Sequence, residues 1–257
     1  RIGKGKNKLE ELMKSVRDID VSSKTVFVRV DYNVPVDEAL NITDDNRIMA
    51  TLDLIQYLIK GQAKIILASH MGRPNGKKDS KLSLAPVGKR LAQLLEKPVL
   101  FVEDCIGDNV TRLVAQLTNG QILLLENLRF HNEEKDNNEG FAKKLADLCD
   151  VYVNNAFAVS HRNQASVTGI PRFARESAAG FLLEKEVQSY YDYVENPKRP
   201  LVAIIGGAKV SSKLAALENM LKFVDKLVIG GAMANTFLKS QGVDTKEIGR
   251  ASCRERV

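Results

Sequence analysis

The sequence predicts an α/β protein whose amino-terminal lobe is a doubly wound parallel sheet, followed by the first strands of a second, incomplete α/β lobe. Three observations lead there. Short β-branched runs alternate with stretches of helical periodicity between Thr25 and Asn154. Five loops carry arginine, histidine or lysine, and four of them sit just after a hydrophobic run, where a parallel sheet presents ligand-binding side chains at its carboxyl edge. A strand–glycine–helix unit then starts afresh at LVAIIGGAKV and repeats at DKLVIGGAMANTFL.

TVFVRV is continuous and β-branched, which suits a buried parallel strand. Asp44 or Asp45 can cap a helix carrying Ile48, Leu52, Ile55 and Ile59 at helical spacing. AKIILAS is the next strand. Beyond a loop holding Gly72, Pro74 and Gly76, Ser83 can cap and Pro86 can start a helix with Val87, Leu91, Leu94 and Leu95. PVLFV, a helix near 108–118, QILLLE, a helix near 138–149 and DVYVN continue the alternation, with right-handed crossovers between them. These runs locate five of the six strands expected in the lobe. GFLLEKEVQSYYDYVE (180–195) reads as one long amphipathic helix ending at Asn196–Pro197, suited to bridge two lobes.

Composition narrows the class. A chain of 257 residues with 44% hydrophobic content can hold a substantial core. No run approaches the roughly 18 apolar residues of a membrane span, and the start has no signal-peptide pattern. Cys105, Cys149 and Cys253 are widely spaced and show no metal pattern, so reduced thiols in a cytoplasmic protein are expected. The net charge of +6 is partly terminal: residues 1–12 contribute +2 and 247–257 contribute +1. No basic stripe with interleaved aromatics runs through the middle, which argues against a nucleic-acid binder.

The loop chemistry points to anions. VRVDYNVP offers Arg29, Asp31 and Asn33; ASHMGRP offers His70 and Arg73; ENLRFH offers Arg129 and His131; SHRNQ offers His161 and Arg162. Arginine forks at these positions would clamp a small, doubly anionic molecule. Asp and Asn before Pro35 also suit a plain turn, and a single His in such a loop is often only a local hydrogen-bonding residue. Arg47 opens a helix, a poor place for a cation unless helix amides and guanidinium meet one anion. Gly206–Gly207 followed by Ala208–Lys209 gives a tight turn into a helix amino terminus, with Lys209 and Lys213 four apart on one face. The turn fits neither of the generic nucleotide motifs.

The ordered strings VRVDYNVP, DDNRI, ASHMGRP, LENLRFH, NNAFAVSHR, GGAKVSSK and GGAMANTF resemble the phosphoglycerate kinase family over about residues 13–246. The resemblance implies a Rossmann-like fold and phosphoryl transfer between 1,3-bisphosphoglycerate and ADP, giving 3-phosphoglycerate and ATP in glycolysis. It implies Mg2+ with ATP or ADP, a cytoplasmic monomer, and neither nucleic-acid nor membrane partners. It assigns Asp31, Tyr32, Asn33, Arg47, His70, Met71, Gly72, Arg73, Arg129 and Arg162 to the triose substrate. Arg47, Lys209 and Lys213 become catalytic, with Arg47 nearest the transferring group and Lys209 on the phosphoryl group itself. Gly206, Gly207, Ala208, Lys209, Lys213, Gly230 and Gly231 serve the nucleotide, and no residue is expected to ligate a metal. Arg73, Arg129 and Arg162 form the patch for the phosphate distant from the reaction, and His131 and His161 are structural neighbours.

Several features depart from the family's pattern. Asn155 stands where Asp is usual, Ala158–Val159–Ser160 replaces Gly-Thr-Ala, and Ser212 replaces an Asp. The later phosphate loop, a Mg-binding aspartate and a ribose-contacting glutamate are missing. The expected organisation is residues 1–12 as an upstream extension, 13–179 as the triose-phosphate domain and 180–196 as the interdomain helix. Residues 197–246 begin the nucleotide domain, and 247–257 are expected to be artefactual, since EIGRASCRERV back-translates into a short-read sequencing adapter. Two further readings stand beside the enzyme: a triose-phosphate-binding fragment without kinase activity, and a nucleic-acid-binding protein.

Overall fold

The computed structural model describes residues 13–195, 197–207, 210 and 214–245. The chain divides into two compact units between Val187 and Gln188, inside the segment expected to bridge two lobes.

The first unit is a six-stranded parallel sheet: β1 (Thr25–Arg29), β2 (Lys64–Ala68), β3 (Val99–Val102), β4 (Ile122–Leu125), β5 (Val151–Asn154) and β6 (Glu176–Ala179), in the order β3-β4-β2-β1-β5-β6. Its helices are α1 (Asn46–Met49), α2 (Leu52–Lys60), α3 (Ala85–Leu95), α4 (Asp108–Gln116), α5 (Asn132–Lys135), α6 (Glu139–Ala146) and α7 (Phe181–Tyr190). Because strand side chains alternate between faces, the sheet divides one apolar run into two cores. Val26, Val28, Ile65, Leu67, Leu124 and Val153 pack on one face with Ile55, Leu58 and Leu91. Phe27, Ile66, Leu123, Leu125 and Tyr152 pack on the other with Val110, Phe141 and Leu145. That is the doubly wound arrangement expected, with helices covering both faces.

Four local expectations change. The helix expected through Ile48 and Ile59 is two, broken at Ala50–Thr51, where the Thr51 hydroxyl donates to the Ile48 carbonyl at 2.8 Å. Asp44 accepts from the Asn46 amide at 2.9 Å, whereas Asp45 occupies the cap position and gives its carboxylate to Arg90 at 2.8 Å. Ser83 does accept from the Ala85 amide at 3.1 Å, although the cap position itself is Leu84. The long bridge is α7 followed by a π-type turn at Tyr191–Glu195.

The second unit pairs β7 (Val202–Gly206) in parallel with β8 (Lys226–Gly230), so that Gly206 lies beside Gly230. Helices α8 (Leu214–Met220) and α9 (Ala232–Ser240) accompany them. Ile204 is 78% exposed on β7, so this face is uncovered by the described residues. No helix among the described residues is long and apolar enough to cross a membrane.

Candidate functional site

The four contiguous central strands, β4, β2, β1 and β5, each end in one of the basic loops. Sheet order therefore does what sequence order does not: it lines up Arg129, His70 and Arg73, Asp31, and Arg162 along one edge.

Arg73, Arg129 and Arg162 converge on a cavity of about 340 Å³, lined also by Gly76, His131, Asn132, Lys135 and Gln164. The Arg129 Nη1 donates to the Gly72 carbonyl at 2.7 Å, while its Nη2 is buried with no hydrogen-bond partner. Burial first, then the charges of Arg162, Arg29 and Arg73, lower the Arg129 pKa against the opposing pull of Glu134. A buried donor without a partner and mutually repelling guanidiniums are costly unless an anion completes them. The Gln164 Oε1 in the same wall is likewise buried and unpaired.

Beside this cavity the Arg47 Nη1 donates to Asp31 Oδ2 at 2.5 Å, with Arg47 about half exposed and Asp31 largely covered. The sequence argument set Arg47 against a helix dipole. The structure gives α1 only four residues, so the charge that Arg47 meets is the Asp31 carboxylate instead. Asp31 also accepts from the Asn33 amide at 3.3 Å, and Asn33 Oδ1 accepts from the Gly72 amide at 2.9 Å. The turn reading of these two residues is thus present alongside any ligand role.

His70 is neutral. Burial first, then Arg29, Arg129, Arg162 and Arg47, push its pKa down to about 2. Its Nδ1 lies 3.1 Å from Arg29 Nη2, which can only donate, so Nδ1 accepts and Nε2 carries the proton. The 3.9 Å approach of Nδ1 to Asp31 is accordingly not an ion pair. Arg29 itself is fully buried. Its Nε donates to the Ser166 hydroxyl at 2.8 Å, a second donor bonds the Val30 carbonyl, and Ser166 in turn donates to the buried Glu134 carboxylate at 2.5 Å. A buried guanidinium is thereby balanced through one hydroxyl by a buried carboxylate.

Two residues placed with the substrate are core residues here. Tyr32 is fully buried, with its hydroxyl 2.8 Å from that of Thr51, and burial raises its pKa. Met71 is 3% exposed and packs with the core beneath α3. Their motif neighbours carry the polar chemistry. Gly72 has φ +60°, and a Cβ there would meet Leu82 Cδ2 at 2.7 Å. Its freedom serves that turn and presents its carbonyl to Arg129.

Sequence reasoning missed Asn127 and Glu126, although both lie in a quoted motif. Asn127 Nδ2 donates to the Met71 and Leu82 carbonyls at 2.8 and 2.9 Å, and its Oδ1 accepts from the Arg129 amide at 3.1 Å, fixing the β2 and β4 loops together. Glu126 is buried, accepts from Ser83 Oγ at 2.7 Å and from the Leu84 amide at 2.8 Å, and so holds the start of α3. His131, read as a structural neighbour, lines the cavity, whereas His161 is exposed outside it. Nor did the wide cysteine spacing reveal that Asp104, Cys105 and His131 gather. Asn155 is buried, with Oδ1 accepting from the Leu182 amide at 2.9 Å and Nδ2 unpaired.

In the second unit, the glycine turns meet. The Met233 amide donates to the Gly207 carbonyl at 2.9 Å, and a Cβ on Gly231, whose φ is +66°, would stand 3.5 Å from the Gly207 nitrogen. Gly206, Gly207, Gly230 and Gly231 are therefore together at the carboxyl ends of β7 and β8. Ala208, Lys209 and Lys213, like the expected terminal segments 1–12 and 247–257, lie outside the described residues.

The family model described as phosphoglycerate kinase matches residues 16–256, ten residues beyond the 246 at which the motif resemblance was expected to stop. A phosphoglycerate kinase of Desulforapulum autotrophicum is 66% identical over 232 residues, and one of Syntrophobacter fumaroxidans is 54% identical over 239. These alignments cover 90% and 93% of this chain and 59% of each relative. The chain thus spans about 59% of the length of these curated relatives. Among solved structures, the phosphoglycerate kinase of Coxiella burnetii superposes with a TM-score of 0.81 at 40% identity, covering 93% of this chain and 61% of that one.

Proposed function

The chain belongs to the phosphoglycerate kinase family, and from that premise we propose that it serves reversible phosphoryl transfer between 1,3-bisphosphoglycerate and ADP, giving 3-phosphoglycerate and ATP. The carboxylate that exchanges the phosphoryl group is ionised at neutral pH and needs no base. The barrier is charge repulsion and misalignment, so catalysis asks for fixed cations and in-line placement. That requirement accounts for a site rich in guanidinium.

The observation that carries the reading is the buried, unpartnered Arg129 Nη2 in a cavity shared with Arg73 and Arg162. In the proposal this cavity takes the triose phosphate remote from the reaction. The neutral His70 offers its Nε2–H to the triose carboxyl or hydroxyl region, with Asp31 and Asn33 beside it. Arg47 exchanges Asp31 for the charge that develops on the phosphoryl group in transit. The four glycines of the second unit allow the nucleotide to lie against backbone, and Lys209 and Lys213 take its phosphates by family resemblance. Mg2+ would enter with those phosphates. It prefers oxygen ligands, and the one described group able to hold a metal contains a thiol and an imidazole.

The functional test is a coupled ATP-forming assay on a chimera joining this chain to the remainder of the Desulforapulum autotrophicum relative. Turnover with 1,3-bisphosphoglycerate and MgADP is the expected result. A folded chimera without it would overturn the proposal. Location in the cytoplasm and a monomeric state belong to the same proposal.

A further inference from the structure

At the edge of the proposed triose-phosphate cavity, which His131 also lines, the loops after β3 and β4 bring three unlike donors together. Asp104 and Cys105 follow β3, and His131 closes the turn after β4, its neighbour in the sheet. One donor atom from each lies within 4.8 Å of the others, the one such group among the described residues. The His131 Nε2 is 2.7 Å from Asp104 Oδ1. Cys105 is a free thiol, 1% exposed, at the floor, while Asp104 and His131 are 35% and 23% exposed and leave a way in from solvent.

We propose that Asp104, Cys105 and His131 form a binding site for a borderline-soft divalent cation of the zinc class, distinct from any Mg2+ that accompanies nucleotide. The donor set decides the metal. Thiolate, imidazole and carboxylate are zinc's ligands, whereas magnesium and calcium want oxygen alone. A tetrahedral zinc with bonds of about 2.0–2.3 Å sets its donors roughly 3.3–3.7 Å apart, so the Asp104–His131 pair at 2.7 Å opens slightly and any pair near 4.8 Å closes. Three protein ligands leave the fourth position for water or an anion. On binding, the Asp104–His131 hydrogen bond gives way to two metal bonds: His131 gives its Nε2 proton to solvent and takes one at Nδ1, so that the imidazole stays neutral, and the Cys105 thiol proton passes to solvent as the Zn–S bond forms. The metal stays divalent throughout.

One neighbour opposes the ion. Lys78 Nζ sits 3.5 Å from Asp104 Oδ2 and donates to the Glu103 carbonyl at 3.2 Å. Its side chain is 64% exposed and engages the other carboxylate oxygen, so it competes with the cation electrostatically without filling its place.

The test is titration of the 257-residue chain with Co2+ and with Zn2+, in a Cys149→Ser/Cys253→Ser background that leaves Cys105 as the only thiol. The expected result is saturable one-to-one binding with a near-ultraviolet thiolate-to-cobalt charge-transfer band that Zn2+ abolishes. Cys105→Ser should remove the band, and Cys105→Ser, Asp104→Asn and His131→Gln should each weaken Zn2+ by at least the ~10-fold that even outer-shell changes cost. Lys78→Met should tighten Zn2+ about threefold, the scale of an exposed ion pair. Circular dichroism establishes that each variant is folded, and Lys78→Met provides a readout that cannot come from misfolding. Absence of the band in the parent chain, or Zn2+ affinity unchanged by Cys105→Ser, would overturn the proposal and leave the three side chains as a hydrogen-bonded loop clasp.

Discussion

Arg129 spends one guanidinium nitrogen on Gly72 and leaves the other buried and unpaired, so its loss should be felt mainly when an anion is bound. In the active chimera, Arg73→Ala, Arg129→Ala and Arg162→Ala should each raise KM for the triose by the worth of a charge-assisted bond, about 1.5–3 kcal/mol. Steady-state kinetics that left all three KM values unchanged would remove the phosphate from this cavity. Arg47→Ala should act differently, lowering kcat by about 2.7–4 kcal/mol of transition-state stabilisation with a smaller change in KM. A rise in KM at constant kcat would make Arg47 an anchor only. His70 provides a pH test. Its pKa falls from the ordinary 6.5 to about 2 on folding, so between those values the unfolded chain binds the extra proton. Stability should therefore fall as pH drops below 6.5, by up to roughly 1.4 kcal/mol per pH unit. Urea melts of the parent and His70→Gln chains from pH 7 to 4.5 measure it, and parallel curves would contradict a neutral buried imidazole. That these residues would gather at one sheet edge was legible in the sequence, because the motifs name them. The fate of Tyr32 and Met71 was not, since a motif does not say which of its side chains turns inward, and nothing local marks Glu134 as the buried partner of Arg29.

At the scale of elements, the apolar strands were legible because their burial on both faces leaves continuous runs such as KIILA and ILLL. Strand β6, reading ESAA, has no such run. It pairs with β5 along the sheet, and the turn from β6 into α7 packs against the loop after β5, where a Cβ on Gly180 would come within 2.5 Å of Asn155 Oδ1. That Asn155 bond to Leu182 acts as a tertiary cap on the first turn of α7. Asn155→Ala should cost about 1 kcal/mol, the usual worth of a cap. Asn155→Asp should cost less, because a carboxylate keeps the acceptor, suits a helix amino terminus and removes the unpaired Nδ2. Chemical denaturation of both variants decides it, and Asp proving worse than Ala would contradict the capping account. Helix breaks escaped the sequence reading for a related reason. The interruption at Thr51 is made by its hydroxyl back-bonding to Ile48 and meeting Tyr32, a tertiary contact that periodicity cannot register.

Across the whole molecule, the order of basic loops in the chain becomes an edge only through sheet topology: β4, β2, β1 and β5 are neighbours although they are scattered in sequence. Length and alternation made the doubly wound class legible, but strand order came from the fold. The first unit contains every arginine of the proposed triose site together with its own pair of cores. It should therefore bind the triose without help from the second unit. Isothermal titration of the 257-residue chain with 3-phosphoglycerate tests this most directly, alongside Arg73→Ala/Arg129→Ala/Arg162→Ala. The account predicts saturable one-to-one binding to the parent chain that weakens with salt and is lost in the triple variant, whose circular dichroism remains that of the parent. No binding by the folded parent, or equal binding by the triple variant, would contradict it.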